Sequence, residues 1–83
     1  MLLDVIAVRY YGEYKLILKF ENGEEKLVDL QDRLEGPIFQ PLKDLDFFKQ
    51  VTLDPELGTI IWPNGADKAP ETLYQIGKPV PNG

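Results

Sequence analysis

Apolar and polar positions alternate through the first part of the chain. From Leu2 to Tyr10 the residues are rich in Val, Ile and aromatic types, and Tyr11, Gly12 and Glu13 break the run. That composition predicts a β-strand followed by a turn. Tyr14, Leu16, Leu18 and Phe20 then alternate with Lys15, Ile17 and Lys19, the period of two of a strand with one face on a core and one in water. Ile17 is the apolar side chain out of place on the outward set. Glu21, Asn22, Gly23 and Glu24 follow, and Asn-Gly accepts the positive φ values of a type I′ hairpin turn. With a third strand from Glu25 to Asp29, the pattern predicts a three-stranded antiparallel meander with one buried face.

Beyond Leu30 the alternation stops. Pro37 and Pro41 forbid a long regular element between Gly36 and Leu42, so a loop with a short helical turn is expected. Asp44 is placed to cap a short helix from Leu45 to Lys49, with Asp46 near its positive end. Val51 to Asp54 and Thr59 to Trp62 read as a second hairpin joined through Pro55, Glu56, Leu57 and Gly58. Pro63, Asn64 and Gly65 end that strand. Pro70 suits the first turn of a last helix, Glu71 to Ile76, stopped by Gly77. The expected architecture is α+β: an antiparallel sheet built from the meander and a second hairpin, with short helices packed on it. Residues 2–76 form the single domain, and 77–83 are expected as a flexible tail.

Composition changes this picture mainly by subtraction. The 83 residues include no His and no Cys, and the sequence has no Ser. Ser-His-Asp and Cys-His arrangements are therefore impossible, as are zinc sites built on His or Cys. No Gly-rich phosphate loop is present. Asp44 and Asp46 form a D-x-D with no calcium-loop continuation, which fits a helix cap. No cofactor or metal is expected. An enzyme would have to work with carboxylates, Lys or Tyr alone, in a chain with little room for a cleft. A membrane span and a signal peptide are likewise not expected, because the apolar runs are only a few residues long.

The net charge of −5 is unevenly spread. Arg9, Lys15 and Lys19 outweigh Asp4 and Glu13 in the first strands, whereas Glu21, Glu24, Glu25, Asp29, Asp32 and Glu35 face only Lys26 and Arg33 in the stretch that follows. Phosphate backbones are bound by clustered Lys and Arg, so direct nucleic-acid binding is not expected and a basic protein partner suits the chain better. Glu24, Glu25, Asp32 and Glu35 are the candidate acidic partner face. The plainer account is solvated surface, since charge runs usually keep small proteins soluble.

The chemically densest segment runs from Gly58 to Asp67, with Pro70, Glu71 and Tyr74 just beyond. Trp62, Asn64, Asp67 and Tyr74 could line a shallow recognition site. A purely architectural account is also available, with Trp62 as core anchor, Asn64 and Gly65 as turn residues, and Asp67 bonding loop or helix-start amides.

The runs Gly-Pro-Ile-Phe-Gln-Pro-Leu-Lys-Asp at 36–44 and Gly-Thr-Ile-Ile-Trp-Pro-Asn-Gly-Ala-Asp at 58–67, with Phe47, Phe48, Val51, Pro70, Glu71 and Tyr74, resemble the small bacterial family known as domain of unknown function 2442. The likeness spans about residues 2–76. It implies an α+β fold similar to the N-terminal domain of two-domain proteins that end in a helix-turn-helix. This chain stops shortly after Tyr74, so DNA binding by that second domain is not carried over. The resemblance also implies a small uncharacterised protein encoded nearby, in the manner of toxin-antitoxin pairs.

Together these readings lead to the expectation of a non-enzymatic, cytoplasmic protein-binding module, antitoxin-like in role. It would hold a small basic protein through the acidic face or through an exposed sheet edge. The alternatives are a regulatory small-ligand domain with its site at Trp62, Asn64, Asp67 and Tyr74, and a structural homodimer paired along an apolar hairpin edge.

Overall fold

The computed structural model describes residues 3–81. In chain order the elements are β1 (Val5–Gly12), β2 (Lys15–Phe20), β3 (Glu25–Asp29), 3-10 turns at Gln31–Arg33 and Gln40–Lys43, α1 (Leu45–Phe48), β4 (Thr52–Asp54), β5 (Thr59–Ile61), α2 (Pro70–Ile76) and β6 (Lys78–Pro79). The meander and β6 make a four-stranded antiparallel sheet in the order β1-β2-β3-β6, and β4 with β5 makes a separate hairpin. The fold is α+β, as the hydrophobic pattern predicts.

Three local details differ from expectation. The first strand runs on through Gly12, and the turn falls at Glu13 and Tyr14, with Gly12 opposite Lys15. Glu13, not the glycine, takes the positive φ of 48°. It is held there by the Tyr10 hydroxyl, which donates to the Glu13 carbonyl at 2.9 Å, and by Lys15, whose ammonium donates to Glu13 Oε1 at 2.8 Å. That contact raises the Lys15 pKa above its ordinary value.

The Asn-Gly turn is also not type I′. Gly23 N–H donates to the Phe20 carbonyl and Phe20 N–H to the Glu24 carbonyl, each at 2.9 Å. Gly23 has a φ of +90° whereas Asn22 stays negative, which is the three-residue loop with a glycine bulge. The same closure recurs at 62–66: Gly65 N–H donates to the Trp62 carbonyl and Trp62 N–H to the Ala66 carbonyl, again at 2.9 Å. In both turns the Asn side chain accepts from the amide two residues on, Glu24 at 3.0 Å and Ala66 at 3.1 Å, a bond that lets Asn close such loops.

Residues 78 and 79, expected within the tail, extend the sheet: Lys78 lies opposite Leu27 and Pro79 opposite Lys26 on the edge of β3. Gly77 makes this return possible by its size. A Cβ there would lie 2.8 Å from Lys26 Cβ and 3.1 Å from the Leu73 carbonyl oxygen. Proline belongs on such an edge because it has no N–H to pair. Residues 82 and 83 lie outside the described residues.

One face of the sheet builds the core. Leu16, Leu18 and Phe20 of β2 and Val28 of β3 are fully buried, and Leu30, Leu34, Leu42, Phe48, Ile60, Trp62 and Leu73 cover them from the rest of the chain. Asp44 caps α1 as expected, accepting from the Asp46 amide at 3.0 Å. Ile17 is buried on the opposite face at 5% exposure. Arg9 sits opposite Ile17 and reaches across β2 to within 3.6 Å of Glu25 on β3, so its aliphatic stem shields the isoleucine. Among the described residues no helix is long and apolar enough to cross a membrane.

Candidate functional site

Trp62 leaves β5 pointing into the core and is 2% exposed. Its indole packs on Phe48 with ring centroids 5.7 Å apart, and Nε1–H donates to the Phe48 carbonyl at 2.9 Å. Nothing of this ring is left for a ligand. Asn64 is equally committed: Nδ2 donates to the Ile38 carbonyl at 2.8 Å while Oδ1 accepts from Ala66. Lys68 donates to the Arg33 carbonyl at 3.1 Å with its ammonium 4.3 Å from the Phe39 ring centre, and burial lowers its pKa. The two motif runs at 36–44 and 58–67 are thus bound to one another by Asn64, and Lys68 just beyond adds a second tie.

Asp67 is exposed and meets Ile61 through backbone pairing. It does not cap α2, whose N-cap is Ala69 with no side-chain bond; Pro70 at the first position removes the need for one of the donors a cap would satisfy. Tyr74 stands apart from this turn. Its ring meets Phe20 edge-on at 5.1 Å, the Lys26 ammonium lies 3.6 Å above it, and its hydroxyl donates to Glu24 Oε2 at 2.9 Å. Lys26 also donates to the Tyr74 carbonyl at 2.9 Å. Together these contacts pin the end of α2 to the β2–β3 turn. The sequence separation of 50 residues between Glu24 and Tyr74 hides such a link from any local pattern.

The acidic candidates do not form one face. Glu24 is engaged by Tyr74 and Glu25 by Arg9, at the turn that begins β3. Asp32 lies beyond the other end of the strand, in a shallow groove with Lys15, Leu27, Asp29, Ile76 and Lys78. The five residues of β3 hold the two groups roughly 13 Å apart or more. Glu35 is exposed in the loop after the first 3-10 turn. Among the described residues no group of three or more acidic side chains gathers as a metal site would need.

The exposed sheet edge is more distinctive. β1 is one of the two outer strands of the sheet, the two-residue β6 being the other. Val5 N–H donates to the Gly58 carbonyl at 2.9 Å, and Ile6 lies beside Leu53 and Pro55 of the second hairpin. Past that point, among the described residues, Ala7 to Gly12 pair on the β2 side alone. Register irregularities between Val5 and Ala7 and between Tyr10 and Gly12 bracket the plain stretch. Ile6 and Tyr11, at its two ends, are 47% and 50% exposed. Their exposure was not legible from alternation, because the bulge at Ile6 places two successive side chains outward.

These features define a small α+β domain whose conspicuous residues hold the fold and whose free chemistry is on a strand edge. The chain matches, over residues 5–79, the model of the family described as protein of unknown function (DUF2442), and it belongs to that family. No curated protein and no solved structure matches it.

Asn64→Ala removes two bonds of a half-buried amide and is expected to lower the unfolding free energy by about 1–2 kcal/mol. Asp67→Ala is expected to stay within about 0.5 kcal/mol. Urea unfolding of both variants checks this, and equal costs would refute the assignment of roles.

The Glu24 hydrogen bond, aided by burial, raises the Tyr74 phenol above its ordinary pKa. The folded state therefore holds this proton more tightly than the unfolded one. Its contribution is complete below the unfolded tyrosine value of about 10 and is lost as pH rises through the higher folded value. Wild type should lose more stability than Tyr74→Phe across that alkaline range, measured by urea midpoints at successive pH values.

Proposed function

We propose that this chain is a non-enzymatic protein-binding module that engages its partner along the free edge of β1. The observation that carries the reading is the edge itself, Ala7 to Gly12 unpaired on one side among the described residues, with Ile6 and Tyr11 exposed along it. An edge strand offers a row of amides and carbonyls that an incoming strand completes, and flanking apolar side chains add contact area. Composition points the same way, since a chain without His, Cys or Ser is better suited to binding than to nucleophilic catalysis. The role that fits is the neutralising, antitoxin-like member of a pair of small proteins in the bacterial cytoplasm. The small-ligand alternative is weakened because Trp62 and Asn64 are consumed by the fold.

Co-expression with the product of the adjacent gene tests the reading. A stable complex at micromolar concentration is expected, weakened at least about ten-fold by Ile6→Lys or Tyr11→Lys, each of which leaves stability within about 0.5 kcal/mol because the side chains are exposed. No association, or association indifferent to both changes, contradicts it.

A further inference from the structure

The charges along β1 follow a pattern that specifies what the edge accepts. Asp4 and Glu21 sit at its start beside Val5 and Ile6. Glu13 closes its far end. Between them stand two cations on opposite faces of the sheet. Arg9 lies on the outer face with its side chain 61% exposed. Lys49 lies on the inner side, its ammonium 5.4 Å from the centre of the Tyr10 ring, which itself packs against Phe48. The centre of the edge is therefore basic and its ends acidic, in a protein whose net charge is −5.

This pattern disfavours a second copy of the chain paired about the middle of the edge. In the symmetric antiparallel register about Arg9, that arginine faces itself and Asp4 falls near the partner copy's Glu13. Like charges directly opposed across strands are destabilising. A basic strand meets the same objection at its centre. An acidic one does not: successive side chains of a strand point to opposite faces, so two neighbouring acidic residues would place one carboxylate by Arg9 and the next by Lys49. The existing contact of Arg9 with Glu25, 3.6 Å between two exposed side chains, is of the weak kind that an incoming carboxylate displaces.

We propose that the segment received by β1 is an extended stretch of a protein partner with two adjacent acidic residues at its centre and apolar residues on either side, which cover Ile6 and Tyr11. This rests on β1 being the partner edge.

The test uses the full 83-residue chain, labelled for NMR, and three Val- and Thr-rich peptides that differ only in a central Asp-Glu, Asn-Gln or Lys-Lys. The Asp-Glu peptide should shift the β1 amides and bind at least about ten-fold tighter than the Lys-Lys peptide. Arg9→Gln should shrink that preference, and Arg9→Glu combined with Lys49→Glu should reverse it. Equal or tighter binding of the Asn-Gln or Lys-Lys peptide at β1 overturns the acidic assignment and leaves the edge reading standing. If none of the peptides moves the β1 amides, both are overturned.

Discussion

The burial of Trp62 against Phe48 is the contact on which the rest of the structure depends. The four-stranded sheet presents Leu16, Leu18, Phe20 and Val28 on one face, and among the described residues there is no long helix to cover them. The cover is assembled from 3-10 turns, helices of four and seven residues and a short hairpin, elements too brief to be stable alone. Trp62 joins them by filling the space beside Phe48 and donating its indole N–H to the Phe48 carbonyl. Tyr14 extends the cluster, meeting Phe48 edge-on at 5.4 Å while its hydroxyl bonds the Lys43 carbonyl. Truncating a buried Trp costs about 3–5 kcal/mol, a large share of the roughly 5–15 kcal/mol that holds a domain folded.

This constraint explains why the most distinctive residues are committed to holding the fold. Asn64 ties the loop at Ile38 to the second hairpin, Thr59 is buried and donates to the Lys68 carbonyl at 2.6 Å, and Lys26 and Tyr74 fasten the last helix to the first turn. Each of these polar groups bonds a backbone or side-chain partner, and Thr59 and Lys26 do so at part-buried positions where an unpaired group would be costly. β1 keeps an edge that no other backbone pairs beyond Ile6 among the described residues. In the binding mode proposed above, its bulges shorten the pairable stretch and its charges would select among incoming strands.

Much of the fold was legible because it rests on local signals. Alternation at Tyr14 to Phe20, the Asn-Gly turn, the Asp44 cap, and Pro70 with Gly77 around α2 all act within a few residues. What was missed depends on particular side-chain contacts, local at the first turn and across the chain elsewhere. The turn after β1 follows Glu13 because Tyr10 and Lys15 stabilise its left-handed backbone. Lys78 and Pro79 become a strand because Lys26 and Gly77 fit together closely. The acidic residues near one another in sequence are spread apart by the length of β3, and the recognition candidates divide between a buried anchor, a turn amide, an exposed Asp67 and a distant Tyr74. Sequence spacing carries none of this information, since it does not say which ends of an extended strand meet which neighbours.

The Trp62 face is sealed and the β1 edge is open. Native-state hydrogen exchange, read residue by residue on the free protein, tests both halves at once. The Trp62 indole N–H should exchange only with global unfolding, while alternate amides between Ala7 and Gly12 exchange rapidly because they have no partner on the outer side. Fast exchange at the indole, or protection of every amide along β1, would contradict the account.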